Sequence, residues 1–87
     1  MIHVTVMTPT ETLVDSDNAE HIILPAANGE VGILPGHTPM VCGLAEGRLR
    51  VELADEHVEL RTRGGFAEVA ADRVTVLVDA VTRSQDA

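Results

Sequence analysis

The most distinctive stretch of this chain covers residues 29–39 and reads Gly29-Glu30-Val31-Gly32-Ile33-Leu34-Pro35-Gly36-His37-Thr38-Pro39. Its glycines permit positive φ angles or a close approach of backbones, while its prolines fix φ and remove backbone donors. An ordinary strand tolerates neither residue well in its interior. Taken by itself, the stretch therefore predicts the edge of a strand that runs into a complicated turn.

The sequence on either side of this stretch alternates between apolar and polar residues. Apolar side chains recur at every second position in two segments, Ile2–Val6 and Val74–Val78. A period of two is typical of half-buried strands, and the abundant valine, isoleucine and threonine favour strands over helices. Turn residues separate these segments at short intervals, which indicates an all-β fold, either a β-sandwich or a flattened barrel.

The middle segment, residues 49–61, is rich in helix formers but fits a hairpin better than a helix. A helix would scatter its apolar residues around the axis, whereas two strands joined near Asp55 place them all on one face. The predicted register puts Arg50 opposite Glu59, a modest favourable pair, and Arg48 opposite Arg61, which is mildly unfavourable.

Length and charge exclude several classes of function. The 87 residues make one domain, and 14 acidic residues against 6 basic ones give a net charge of −8. Such a surface repels phosphate, so we expect no nucleic-acid partner, while a basic protein partner is favoured. No apolar run is long enough to span a membrane, so no direct membrane insertion is expected. The lone Cys42 has no partner for an internal disulfide, which indicates a reducing compartment.

The titratable residues do not form a recognisable catalytic or metal motif. The four histidines, at positions 3, 21, 37 and 57, lack the spacing of metal ligands, although a site assembled from distant strands stays open. Cys42 follows His37 by five positions, but nothing in the sequence orients the two as nucleophile and base. We therefore predict that Cys42 is a small, partly buried apolar residue. Phosphate-loop chemistry needs a lysine, which the chain lacks. We therefore predict no enzyme activity, no metal and no cofactor.

The stretch 29–39 resembles the GxxGIxPxHxP signature of the ε subunit of F-type ATP synthases. Gly64-Gly65-Phe66-Ala67-Glu68-Val69 resembles the glycine-pair motif of the same family, and Ile2–Val6 resembles its first strand. The resemblance implies a ten-stranded β-sandwich in the central stalk, with the γ subunit and the c-subunit ring as partners. It also implies a subunit without catalysis of its own, which couples ion flow through the ring to ATP synthesis.

The resemblance assigns roles to individual positions. Four residues match the loop that rests on the c ring: Asn28, Gly29, Glu30 and Val31. In that loop Glu30 is the expected charge partner of an arginine on the c subunits. Three residues match the side that meets γ: Thr8, His37 and Cys42. The remaining motif residues are expected to be structural: Gly32, Ile33, Pro35, Pro39, Gly64 and Gly65.

In this family the β-sandwich is usually followed by a helical hairpin that inhibits hydrolysis and in some bacteria binds ATP. The sequence ends at Ala87, so we expect neither self-inhibition by such a hairpin nor nucleotide binding. We expect a β-sandwich domain at 1–81 and a polar tail at 82–87, peripheral on the cytoplasmic face of the bacterial inner membrane. The alternative is a stand-alone β-sandwich that binds a small ligand or metal; the scarcity of aromatic residues weighs against it.

Overall fold

A computed structural model describes residues 1–83, of which Arg83 is described by its backbone alone. Within these residues the chain forms β-strands and no helix. The strands are β1 (Ile2–Met7), β2 (Thr12–Ala26), β3 (Gly29–Ile33), β4 (Met40–Gly43), β5 (Gly47–Leu53), β6 (His57–Arg63), β7 (Phe66–Ala70), β8 (Arg73–Leu77) and β9 (Ala80–Arg83).

The strands form one sheet in the order β4-β7-β8-β1-β2-β5-β6-β9, and β3 pairs with β2 outside that order. β1 and β8 run parallel, and every other pair in this part of the chain is antiparallel. β4 and β9 lie at the two ends of the order and do not pair with each other. The sheet is therefore open.

Both halves of the sheet bury the same face. Side chains from the β4-β7-β8-β1 half and from the β2-β5-β6 half belong to one aliphatic cluster, so the sheet folds over on itself as a sandwich. The largest fully buried apolar side chains of that cluster are Ile2, Val4, Val6, Ile22, Leu24, Ile33, Leu49, Val51, Val74, Val76 and Val78.

β2 joins the two halves because its 15 residues pair with three strands in succession. Thr12–Ala19 pairs with β1, Ala19–Ile23 pairs with β5, and Ile22–Ala26 pairs with β3. The register shifts between Ala19 and His21 against β5, an irregularity of the kind that bends a strand and increases its twist. The bend lets one continuous strand serve both halves.

The predicted β-sandwich is confirmed, with two differences in detail. The described residues form nine strands where ten were expected, and the open sheet is not a closed barrel. The β5–β6 hairpin has the predicted register, with Arg50 opposite Glu59 and Arg48 opposite Arg61.

The expected boundary between domain and tail falls inside the last strand. Thr82 and Arg83, which the sequence placed in the tail, pair with Arg61 and Leu60 of β6 as part of β9. The rest of the predicted tail, residues 84–87, lies outside the described residues.

Candidate functional site

The predicted c-ring loop is the tip of the β2–β3 hairpin. Ala27 and Asn28 form its two-residue turn, and Gly29 opens β3 with a φ of 122°, a conformation that favours glycine. Asn28, Gly29 and Glu30 are exposed, whereas the side chain of Val31 turns inward and packs against the core. The tip thus presents one carboxylate, that of Glu30, to its surroundings.

Backbone hydrogen bonds fix the β2 arm of this hairpin. The amide of Ala27 donates to the carbonyl of Gly43 (3.2 Å), and the carbonyl of Pro25 accepts from Ala45 (2.8 Å). An isolated bridge between Ala26 and Leu44 lies between these two bonds. The β2 arm is therefore attached to the segment that follows β4.

Glu30 forms an ion pair within the chain. A guanidinium nitrogen of Arg50 donates to Oε2 of Glu30 over 2.9 Å. The carboxylate is still 59% exposed, while the Arg50 side chain is only 29% exposed. Sequence reasoning placed Glu30 at the tip but did not foresee this partner, because the two residues meet only once β3 and β5 flank β2.

The signature segment after β3 is a turn fastened to a distant loop. His37 donates its backbone amide to the carbonyl of Leu34 (3.1 Å), and Gly36, at a φ of 84°, donates its amide to the carboxylate of Asp72 (3.0 Å). The ring nitrogen Nδ1 of His37 lies 2.6 Å from the carbonyl oxygen of Thr38, and the side chain is partly exposed. Among the expected structural residues, Ile33 is buried, whereas Pro35 and Pro39 are exposed.

Thr8 and Cys42 both have roles inside the fold. The hydroxyl of Thr8 accepts hydrogen bonds from the amides of Thr10 (3.2 Å) and Glu11 (3.1 Å), which closes the turn between β1 and β2. Cys42 packs against the core from β4, opposite the buried Ala67, and burial raises the pKa of its thiol. Cys42 is thus the partly buried apolar residue that the sequence indicated.

The three predicted γ-facing residues belong to one half of the sandwich without forming one cluster. Cys42 lies on β4, Thr8 follows β1, and His37 lies in the segment that leads into β4. Through Gly36 and Asp72, the His37 segment is tied to the end of the half where β8 begins. Thr8 lies at the opposite end of this half, because Met7, the residue before it, pairs with Leu77 at the end of β8.

The outer side of the same half carries apolar side chains that the sequence did not single out. Phe66 pairs with Leu77 across β7 and β8, and Leu77 pairs in turn with Met7 of β1. Phe66 is 50% exposed and Leu77 36%, and Val41, on the outward side of the neighbouring β4, is 69% exposed. We call Val41, Phe66 and Leu77 the apolar face. The alternation of side chains along a strand could have indicated this face. Val76 and Val78 point inward, so the apolar Leu77 between them must point outward.

Charged side chains cover other parts of the surface. The ring of His3 lies between the carboxylates of Asp15 and Asp17, and His57 contacts Glu52 and Glu59. The hydrogen bonds that the His57 ring donates to the carboxylates of Glu52 and Glu59 raise the pKa of His57. Within residues 1–83 no group of three or more His, Cys, Asp or Glu side chains has the geometry of a metal site.

None of the described residues belongs to a helix with the length and apolar character needed to cross a bilayer.

The described residues form an open β-sandwich domain with an exposed hairpin tip and the apolar face on its β4-β7-β8 side. Residues 1–84 match the model of the beta-sandwich domain of the ATP synthase delta/epsilon chain. Because this match covers nearly the whole chain, the chain belongs to that family.

Curated relatives agree with the family assignment. The ATP synthase epsilon chain of Synechococcus elongatus is 45% identical over 80 residues, which are 92% of this chain and 58% of the relative. The chloroplastic epsilon chain of Guillardia theta is 40% identical over 78 residues, 90% of this chain and 59% of the relative. The chain thus spans less than two thirds of the length of these relatives.

Solved structures share the fold. A chain in the mitochondrial ATP synthase of Euglena gracilis, solved with OSCP, F1 and the c-ring, superposes with a TM-score of 0.91 at 26% identity, over 99% of this chain and 55% of that chain. A chain from the central stalk and c-ring of the Tetrahymena thermophila mitochondrial ATP synthase superposes with a TM-score of 0.86 at 18% identity. The superposition covers 98% of this chain and 68% of that chain. The second likeness shows the fold alone.

Proposed function

We propose that the chain is a non-catalytic central-stalk subunit of an F-type ATP synthase, which docks on the γ subunit and the c ring. In this role it couples ion translocation to ATP synthesis and hydrolysis. The family assignment, the names of the curated relatives and the stalk assemblies that contain the structural neighbours support the proposal.

The apolar face is the observation that carries the proposal. The core of this chain is aliphatic, and its single aromatic residue, Phe66, is half exposed on the surface instead. Phe66 and Leu77 lie opposite each other on β7 and β8, and exposed apolar groups placed side by side are typical of a protein–protein interface, where aromatic side chains contribute most to binding. The face lies on the same half of the sandwich as Thr8, His37 and Cys42, so we assign it to γ.

The hairpin tip is the proposed contact with the c ring. It exposes the carboxylate of Glu30 beside Asn28 and Gly29, so it suits a basic partner such as the arginine that the family resemblance implies. Two contacts on different parts of the sandwich would hold the subunit between stalk and ring, which a rotor element requires.

The cellular site follows from the proposed assembly. A subunit docked on γ and the c ring lies peripherally at the membrane that holds the enzyme. The curated relatives include cyanobacterial and chloroplastic chains, and the structural neighbours are mitochondrial. For a bacterial source, we propose the cytoplasmic face of the inner membrane.

Binding to γ tests the proposal. We would co-express the chain with the γ subunit of the same organism and measure the dissociation constant of the purified pair. Phe66→Glu places a charge in the apolar face and should weaken binding at least about tenfold, as truncating a central aromatic anchor does. Ala54→Glu, which adds the same charge at the exposed β5–β6 turn, is the matched control. Absence of γ binding by the unmodified chain, or equal affinity of both variants, would contradict the proposal.

A further inference from the structure

The β3 arm of the hairpin tip is attached less firmly than the β2 arm. β3 pairs with β2 alone, whereas β2 is also hydrogen-bonded to Gly43 and Ala45. The ion pair between Glu30 and Arg50 adds a side-chain link from β3 to β5. This link acts on the arm that carries the proposed contact residue.

The link crosses β2 diagonally. Glu30 pairs with Pro25 of β2, and Arg50 pairs with Ile23 on the other side of the same strand. The two side chains must therefore span β2 to meet, and they do so at 2.9 Å. Arg50 is mostly buried, with a buried Nε that has no hydrogen-bond partner in residues 1–83. Because the side chain is mostly buried and its terminal nitrogen is bound to Glu30, the guanidinium has little freedom to adopt another position.

The geometry leaves half of the Glu30 carboxylate available. Arg50 binds Oε2, whereas Oε1 has no hydrogen-bond partner within residues 1–83, and the side chain is 59% exposed. A carboxylate accepts hydrogen bonds at both oxygens and can bridge two guanidinium groups. Oε2 of Glu30 can thus stay hydrogen-bonded to Arg50 while Oε1 accepts a hydrogen bond from a basic side chain of a partner.

We propose that Arg50 is a positioning residue, which holds the β3 arm against β2 and aims the free oxygen of Glu30 at an arginine or lysine of the ring-side partner. The identity of that partner rests on the proposed function, whereas the effect of Arg50 on the hairpin does not. Arg48 offers a matched control, since it lies on the same face of β5 and its Nε is 3.6 Å from Glu59.

Hydrogen exchange of the full chain tests the positioning by itself. In Arg50→Gln the β3 amides should exchange about two- to fivefold faster, which corresponds to losing one surface ion pair, while the β8 amides keep their rates. Arg48→Gln should leave the β3 amides unchanged. Unchanged β3 exchange in Arg50→Gln overturns the proposal.

Coupling in the assembled enzyme tests the direction in which Glu30 points. We would reconstitute the synthase with each variant and measure the number of coupling ions, protons or sodium, pumped per ATP hydrolysed. Glu30→Gln and Arg50→Gln should both lower this ratio about two- to fivefold, and Arg48→Gln should not. The double variant Glu30→Arg/Arg50→Glu restores the internal ion pair, and with it slow exchange in β3, but its coupling should stay low because an arginine now faces the basic partner.

The outcomes separate the two proposals. Suppose that Glu30→Gln is impaired but the charge-swapped variant couples normally. The ion pair would then only stabilise the hairpin, and the proposal that Arg50 orients Glu30 toward the partner would be wrong. Full coupling in Arg50→Gln, with Glu30→Gln impaired, overturns it as well. Full coupling in Glu30→Gln would instead refute the proposed contact between the tip and the ring, while the exchange rates would still decide whether Arg50 holds β3.

Discussion

Gly65 occupies a position in which the backbone leaves no room for a side chain. Its φ is +99°, and an added Cβ would lie 1.9 Å from the carbonyl oxygen of Leu77 and 2.8 Å from the Cα of Val78. These obstacles are backbone atoms, which cannot swing away as a side chain can. The glycine thus allows the β6–β7 connection to pass directly against the end of β8.

Gly65→Ala should therefore destabilise the protein strongly, by about 2–4 kcal/mol, because the new methyl group meets both backbone strain and a steric overlap. Gly43→Ala is the control, since nothing lies within 4 Å of its added Cβ. We expect that variant to change stability by less than about 1 kcal/mol. Urea denaturation of both variants checks the prediction, and equal midpoints would refute it.

His57 should make a pH-dependent contribution to stability. Hydrogen bonds to Glu52 and then Glu59 raise the pKa of His57 above its ordinary value of 6.5, so the folded state binds the proton more tightly than the unfolded state. The stabilisation is fully present below pH 6.5, while the carboxylates stay ionised, and is lost as pH rises through the raised pKa. The measurement is the difference in unfolding free energy between wild type and His57→Gln, at pH 6 and at pH 9. A difference that is larger at pH 9 would contradict the assignment.

Single residues differed in how far the sequence could predict them. Cys42 was expected to be a partly buried apolar residue, and it packs against the core from β4. Glu30 was placed at the loop by resemblance, but its contact with Arg50 depends on which strands flank β2, and local pattern carries no such information. The outward side chain of Phe66 does follow from local pattern, because Ala67 and Val69 lie on the buried face and Phe66 shares the opposite face with Glu68.

Elements whose partners are close in the sequence were the most predictable. The β5–β6 hairpin follows from the change of apolar parity around Asp55, since only one register puts both sets of side chains on one face. β2 was less predictable, because its pairing with three strands depends on the bend between Ala19 and His21 and on partners far away in the chain.

The confirmed hairpin register places two like charges opposite each other. Arg48 and Arg61 face each other across β5 and β6, an arrangement that costs stability in a sheet. Arg61→Glu should stabilise the protein by roughly 0.3–1 kcal/mol, because it replaces repulsion with attraction. Arg63→Glu makes the same change of net charge opposite the uncharged Ala80 and serves as the control. The measurement is the free energy of unfolding from urea denaturation at low salt. An increase in both variants, or in neither, would contradict the explanation by cross-strand repulsion.

At the scale of the whole molecule, one sheet provides two surfaces of different chemistry. The half that contains β7 and β8 carries the apolar face, whereas the outward side of β5 and β6 carries arginines, glutamates and His57. A domain of 87 residues buries a modest share of its surface on folding, so its own stability is limited. Binding of a partner to the folded state adds to that stability by mass action.

If γ docks on the apolar face as proposed, it should raise the melting temperature of this chain. At γ concentrations a hundredfold above the dissociation constant, binding adds about 2.7 kcal/mol. For a domain of this size, that corresponds to an upward shift of about 10–20 °C. Phe66→Glu should melt near the wild-type temperature when alone, because the side chain is half exposed, but should lose most of the shift with γ. Ala54→Glu should keep the shift; if Phe66→Glu keeps it too, γ binds elsewhere on the sandwich.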